Sequence, residues 1–174
     1  MATYQIDPAH SEIQFKVKHL MISTVTGTFN SFSGSLTSDS EDFDGASVTF
    51  SADINSIDTG NEQRDGHLKS ADFFNAEEHP QLVFSNGKLS KTHNGFSLNG
   101  ELTLRGVTKP LSLDVEYNGT MVDPWGQTKA GFELTGSIKR KEFGLSWDAV
   151  TEAGGVVVSD EVKLSLNVQV VKQA

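Results

Sequence analysis

The stretch "SEIQFKVKH", Ser11 to His19, sets Ile13, Phe15 and Val17 at every second position, with Glu12, Gln14, Lys16 and Lys18 between them. Side chains alternate across a β-strand, so this order gives one apolar face and one wet face. The same period recurs down the chain. "SVTFSADIN" groups Val48, Phe50, Ala52 and Ile54, "FSLNGELTL" groups Leu98, Leu102 and Leu104, and "LSLDVEY" groups Leu111, Leu113, Val115 and Tyr117. "FELTGSI" adds Phe132, Leu134 and Ile138, and "VKLSLNVQV" adds Val162, Leu164, Leu166, Val168 and Val170. Turn signals punctuate these runs: Asn86-Gly87, Asn94-Gly95, Asn118-Gly119, Asp123-Pro124 and Gly154-Gly155. Short turns between successive strands predict antiparallel meanders, about eight strands in all. Gly27, Gly34, Gly100 and Gly136 fall inside strand-like runs, where glycine marks bends or bulges. The pattern fits an all-β sandwich or an all-β barrel equally well.

Alternation stops at "GNEQRDGHLKSADFF", Gly60 to Phe74. Thr59-x-x-Glu62 is a capping-box pattern, and Asp65 precedes Lys69 in the favourable i,i+4 order. His67, Ala71 and Phe74 share one side of a helix, with Leu68 beside them. Gly66 weakens it by about 1 kcal/mol relative to alanine. The segment therefore predicts one short helix inserted between strands. Its cluster Arg64-Asp65-x-His67 invites a chemical reading, with Asp65 orienting His67 as a base and Arg64 as an anion clamp. Neighbouring residues on a helix do not face each other, however, so a structural anchor is the better expectation.

Residues 1–174 read as a single domain, without a linker, repeat or low-complexity segment. A net charge of -9 and the absence of a basic stripe exclude nucleic acid as a partner; the cluster Lys139-Arg140-Lys141 is too small to change this. Cysteine is absent, which removes disulfides, thiol catalysis and thiolate metal sites. The histidines, His10, His19, His67, His79 and His93, show no metal-binding spacing, so neither a metal nor a cofactor is expected. No G-x-S-x-G elbow, phosphate loop or dinucleotide fingerprint is present. Trp125 reads as a turn anchor and Trp147 as core. The start "MATYQIDPAH" lacks a secretory leader's features, and no apolar run nears the ~20 residues that span a bilayer. The expectation is a cytoplasmic protein without stable membrane insertion, periplasmic if a leader was removed.

Several blocks, taken in order, resemble the YceI-like family: "DPAHSEIQFKVKH", "GTFNSFSGSL", "SIDTGNEQRDGHLKSADFFNAEEHPQLVF", "GELTLRGVTKPLSL", "GSIKRKEFGL" and "VSDEVKLSL". The resemblance implies an extended eight-stranded antiparallel barrel, lipocalin-like, whose elongated apolar pore binds a polyisoprenoid or another long-chain amphiphile. It also implies quinones or fatty amides as ligands of some members, and homodimers. Many members carry an export leader, and this sequence is expected to depart from them in having none. On this reading the pore-lining candidates are Phe15, Val17, Val48, Phe50, Phe84, Leu102, Leu104, Phe132, Leu134, Leu164 and Leu166. Arg64 and His67 are candidates for a ligand head group or for anchoring the helix. The expected role is a lipid carrier or store that changes no bond. Two rivals stand beside it: an enzyme acting on a small apolar substrate in the same barrel, and an interaction protein with a filled core.

Overall fold

The computed structural model describes residues 1–20, 22–145 and 158–173. Three runs of strand are interrupted. The first comprises β1 (Ala2–Ile6) and β2 (Glu12–His19), split by a 3-10 turn at Pro8–His10. The second comprises β3 (Ser23–Phe29) and β4 (Phe32–Ser38), and the third β5 (Ser47–Asp53) and β6 (Ile57–Asp58) about a 3-10 turn at Ile54–Ser56. A helix, α1 (Glu62–Lys69), follows. Five long strands complete the chain: β7 (Gln81–Lys91), β8 (Phe96–Leu104), β9 (Val107–Val122), β10 (Thr128–Lys139) and β11 (Val158–Lys172).

Each run pairs antiparallel with the next, as the alternation and short turns predict. The last strand then returns to the first run. Its earlier part pairs with β2, Leu164 opposite Phe15, and its end pairs with β1, Val170 opposite Ile6. The eight runs thus form a closed antiparallel barrel with one α-helix, not a sandwich. Apolar side chains point inward, while Asp114, Glu116, Glu133 and Lys163 are exposed on the outer face. This is the reverse of a lipid-facing barrel, which carries its apolar band outside.

Two of the expected turns are not turns. Asn86-Gly87 lies within β7, where the pairing slips between Ser85 and Lys88 and Asn86 has φ 54°. Asn118-Gly119 lies within β9, where Gly131 faces Gly119 but Phe132 already faces Tyr117. Both are bulges. An Asn-Gly pair supplies the positive φ that a hairpin turn and a bulge equally require, so the dipeptide does not distinguish them. Asn94-Gly95 and Asp123-Pro124 do turn the chain, between β7 and β8 and between β9 and β10. Gly154-Gly155 and Trp147 lie outside the described residues. Trp125 is 83% exposed at its turn, its N–H donating to Asp123.

The barrel's upper end carries the β2–β3 turn and α1; its lower end carries the β4–β5 loop and the β9–β10 hairpin. Phe43, only 1% exposed, plugs the lower end. Its ring meets Tyr4 at 5.4 Å, Tyr117 at 5.6 Å and Phe132 at 5.4 Å, all edge to face. Beside it, the kink between β1 and β2 is held by Asp7. This carboxylate accepts from the Ala9 N–H at 3.1 Å, contacts His10 Nδ1 at 2.7 Å and faces Lys129 Nζ at 3.8 Å. Lys129 also reaches Asp123 at 3.4 Å, tying the kink to the β9–β10 hairpin.

The His10 hydrogen bond, chiefly, holds the Asp7 carboxyl below its ordinary pKa. A depressed folded pKa means that the stabilisation is present above the unfolded value, about 3.9, and is lost as pH falls through the folded one. Asp7→Asn is therefore expected to lower stability at neutral pH and to flatten the decline below about pH 4. Urea unfolding across that range checks it, and an unchanged acid limb would contradict the clamp.

Candidate functional site

The ring of strands encloses a cavity of about 230 Å³. For scale, an apolar cavity of about 150 Å³ stays dry and takes up benzene. The core of the barrel is thus not filled. Every pore-lining candidate named above lies on this lumen: Phe15 and Val17 from β2, Val48 and Phe50 from β5, Phe84 from β7, Leu102 and Leu104 from β8, Phe132 and Leu134 from β10, and Leu164 and Leu166 from β11. Many further residues of the same apolar faces join them, among them Ile13, Leu98, Leu113 and Val168. Along β11 every second residue from Val162 to Val170 lines the lumen, and Val158 joins them at the start of the strand. At about 3.3 Å per residue, Val162 to Val170 is roughly 26 Å of strand, so the lumen is long and narrow.

The cap closes the upper end. The helix buries none of its own residues fully, and begins later than the capping box suggests. Its N-cap is Asn61, whose side chain accepts from the Arg64 N–H at 3.0 Å. It also ends sooner, at Lys69, where Ser70 donates both its N–H and its hydroxyl to the His67 carbonyl. Ala71 and Phe74 therefore lie beyond the helix rather than on its face. Leu68, Phe73 and Phe74 line the top of the lumen, and Phe74 meets Phe29 edge to face at 6.2 Å.

Thr59 is the hub of the Arg64-Asp65 pair. Asp65 accepts from its N–H at 2.9 Å and its hydroxyl at 2.5 Å. Arg64 donates to the same hydroxyl at 2.7 Å and to the Thr59 carbonyl at 2.6 Å. The two neighbours do act on one point, contrary to the expectation from helix geometry. The point lies in the preceding loop, which both side chains reach by folding back past the helix start. Asp65 is engaged there rather than with Lys69. His67 Nε2 lies 3.0 Å from Asp72, and its ring stacks edge to face on Phe73. Arg64, Asp65 and His67 are not among the lumen-lining residues.

Three residues that sequence reasoning missed complete the site. Arg140, the middle of the supposed basic cluster, is 3% exposed and lines the lumen. Its guanidinium donates to the carbonyls of Ser159, Leu145 and Val158 at 2.9, 2.6 and 3.0 Å. No charge pattern signals this, because only the fold turns Arg140 inward between two outward lysines. Arg105, at the β8–β9 turn, donates to the Ala71 carbonyl at 2.8 Å and to that of Gly144, strapping the cap to the upper rim. Phe43 was legible in principle, as a lone aromatic in the acidic loop "EDFDG".

The family model described as YceI-like domain matches residues 4–170. A UPF0312 protein of Pectobacterium carotovorum subsp. carotovorum is 39% identical over 174 residues, covering 99% of this chain and 88% of that protein. The crystal structure of Burkholderia cenocepacia BcnA superposes with a TM-score of 0.81 at 22% identity, over 94% of this chain and 98% of that one. A polyisoprenoid binding domain from Saccharophagus degradans, implicated in plant cell wall breakdown, superposes with a TM-score of 0.69 at 17% identity, covering 98% of each chain. At these identities the two structures establish the fold alone.

Thr59→Val removes the shared hydroxyl and is expected to cost about 1 kcal/mol for each hydrogen bond lost. The loss should appear as faster amide exchange across residues 59–74, with β7–β11 unchanged. Equal acceleration in those strands would show that the cap is no separate element.

Proposed function

This chain belongs to the YceI-like family, and from that premise we propose that it binds a long-chain lipid in its lumen, as carrier or store. The ligand is a polyisoprenoid or a related amphiphile, with quinones and fatty amides in the same range. The observation that carries this reading is the unfilled lumen, closed at the bottom by aromatic rings and walled by apolar side chains along its length. Transfer of a hydrocarbon chain from water into such a space contributes about 0.8 kcal/mol per buried CH₂. Affinity then grows with chain length and needs little polar recognition. The likeness to a polyisoprenoid binding domain supports the same class of ligand.

Binding without turnover is favoured by the nature of the lining. Among the described residues, its single ionisable group is Arg140. A guanidinium does not give up its proton in proteins, so it offers no general base. Asp65 and His67, the acid–base candidates of the sequence, are engaged by Thr59 and Asp72 instead.

Native mass spectrometry of the purified protein, followed by organic extraction and lipid identification, tests this. An added mass matching an isoprenoid or other long-chain lipid is expected. A bare protein mass, with no uptake of offered isoprenoid alcohol, quinone or fatty amide, would overturn the reading.

A further inference from the structure

Several wall glycines stand opposite large side chains. An ideal Cβ on Gly27 would lie 2.3 Å from Phe15 Cζ, and one on Gly100 would lie 2.5 Å from Phe84 Cζ. On Gly136 it would meet Leu113 Cδ2 at 2.4 Å, and on Gly34 it would meet Phe50 Cδ2 at 3.2 Å. The large partner in each case lines the lumen. Phe15 faces Gly27, and Phe50 faces Gly34, directly across a strand pair. At Gly27, Gly100 and Gly136 the end of the side chain thus occupies the place of a missing Cβ, and at Gly34 the edge of the Phe50 ring presses against it, so that each leans along the wall instead of toward the barrel axis.

We propose that these glycines set the bore of the lumen, and through it the cross-section of chain that the protein accepts. The proposal rests on the lipid-binding reading and adds the determinant of its selectivity. A saturated straight chain is slender throughout, whereas a polyisoprenoid carries a methyl branch on every unit. A ring pushed off its seat narrows the passage for the branched chain first.

Gly27 gives the sharpest test, because the atoms nearest its added Cβ all belong to the Phe15 ring. At Gly100 and Gly34 backbone carbonyls, those of Ser85 at 2.8 Å and Thr49 at 3.1 Å, stand in the way as well. Gly27 also lies in an extended strand, so alanine suits its backbone. With Leu164 on the other flank of Phe15, the ring has the lumen to move into.

The experiment is displacement of bound cis-parinaric acid by geranylgeraniol and by stearyl alcohol, on wild type, G27A, the double variant F15A/G27A and F15L. G27A is expected to lose about tenfold more affinity for geranylgeraniol than for stearyl alcohol, the scale on which one misplaced methylene is felt in an apolar pocket. The double variant should regain it, and F15L should shift preference toward the branched chain. Equal losses for both alcohols in G27A, no recovery in a folded double variant, or unchanged selectivity in F15L would overturn the proposal. A wild type that binds neither alcohol nor parinaric acid would instead sink the lipid reading. A crystal structure of G27A judges the bore without any ligand: Phe15 moved toward the axis supports it, and parted strands with the ring in place refute it.

Discussion

The molecule depends on the return of β11 to the first run. Without that pairing, two long strand edges would stand open, each a row of unpaired N–H and C=O groups prone to association. With it, Val170 faces Ile6 and every run gains a neighbour on both sides. The interrupted runs are neighbours in the wall, so their breaks fall along one seam. Below the seam β1, β4 and β5 complete the ring; above it β2, β3 and β6 form a separate flap of sheet. The chain leaves that flap directly into α1, which is how the cap reaches the upper mouth.

Closure also fixes how much space there is to fill. An eight-stranded barrel is just wide enough for its inward side chains to meet, or to leave room for one small ligand. Here aromatic rings close both ends, around Phe43 below and Phe73 and Phe74 above. Between them Phe15, Phe50, Phe84 and Leu113 pack over wall glycines, and the lumen is left unfilled. Among the described residues, charge is kept out of this space with one exception. Arg140 is buried, but carbonyl oxygens surround its guanidinium, which offsets part of the cost of removing it from water.

What was legible in the sequence is what depends on period two. Ile13, Phe15 and Val17 face the lumen because strand geometry leaves them no other choice, and the same holds for Leu164 and Leu166. The strand glycines were legible as anomalies, although their partners became visible only once the register was known. Features set by the third dimension were not readable. Asn61 rather than Thr59 caps α1 because Thr59 is already taken by Arg64 and Asp65. Lys139, Arg140 and Lys141 look alike in the sequence, and the start of β11 decides which of them is buried.

The charged segment that breaks the alternation follows from the same economy. A helix laid over an apolar mouth must satisfy its own polar groups, since the lumen beneath is walled mainly by apolar side chains. Thr59, Asn61 and Ser70 do this at its two ends, all within the segment itself. Among the contacts that hold the segment to the barrel are those of Leu68, Phe73 and Phe74 beneath it and the Arg105 strap at its side. The hydrogen-bonded ring and the cover over its mouth are thus stabilised by different interactions: ladder bonds in the wall, and apolar contacts with side-chain hydrogen bonds in the cover.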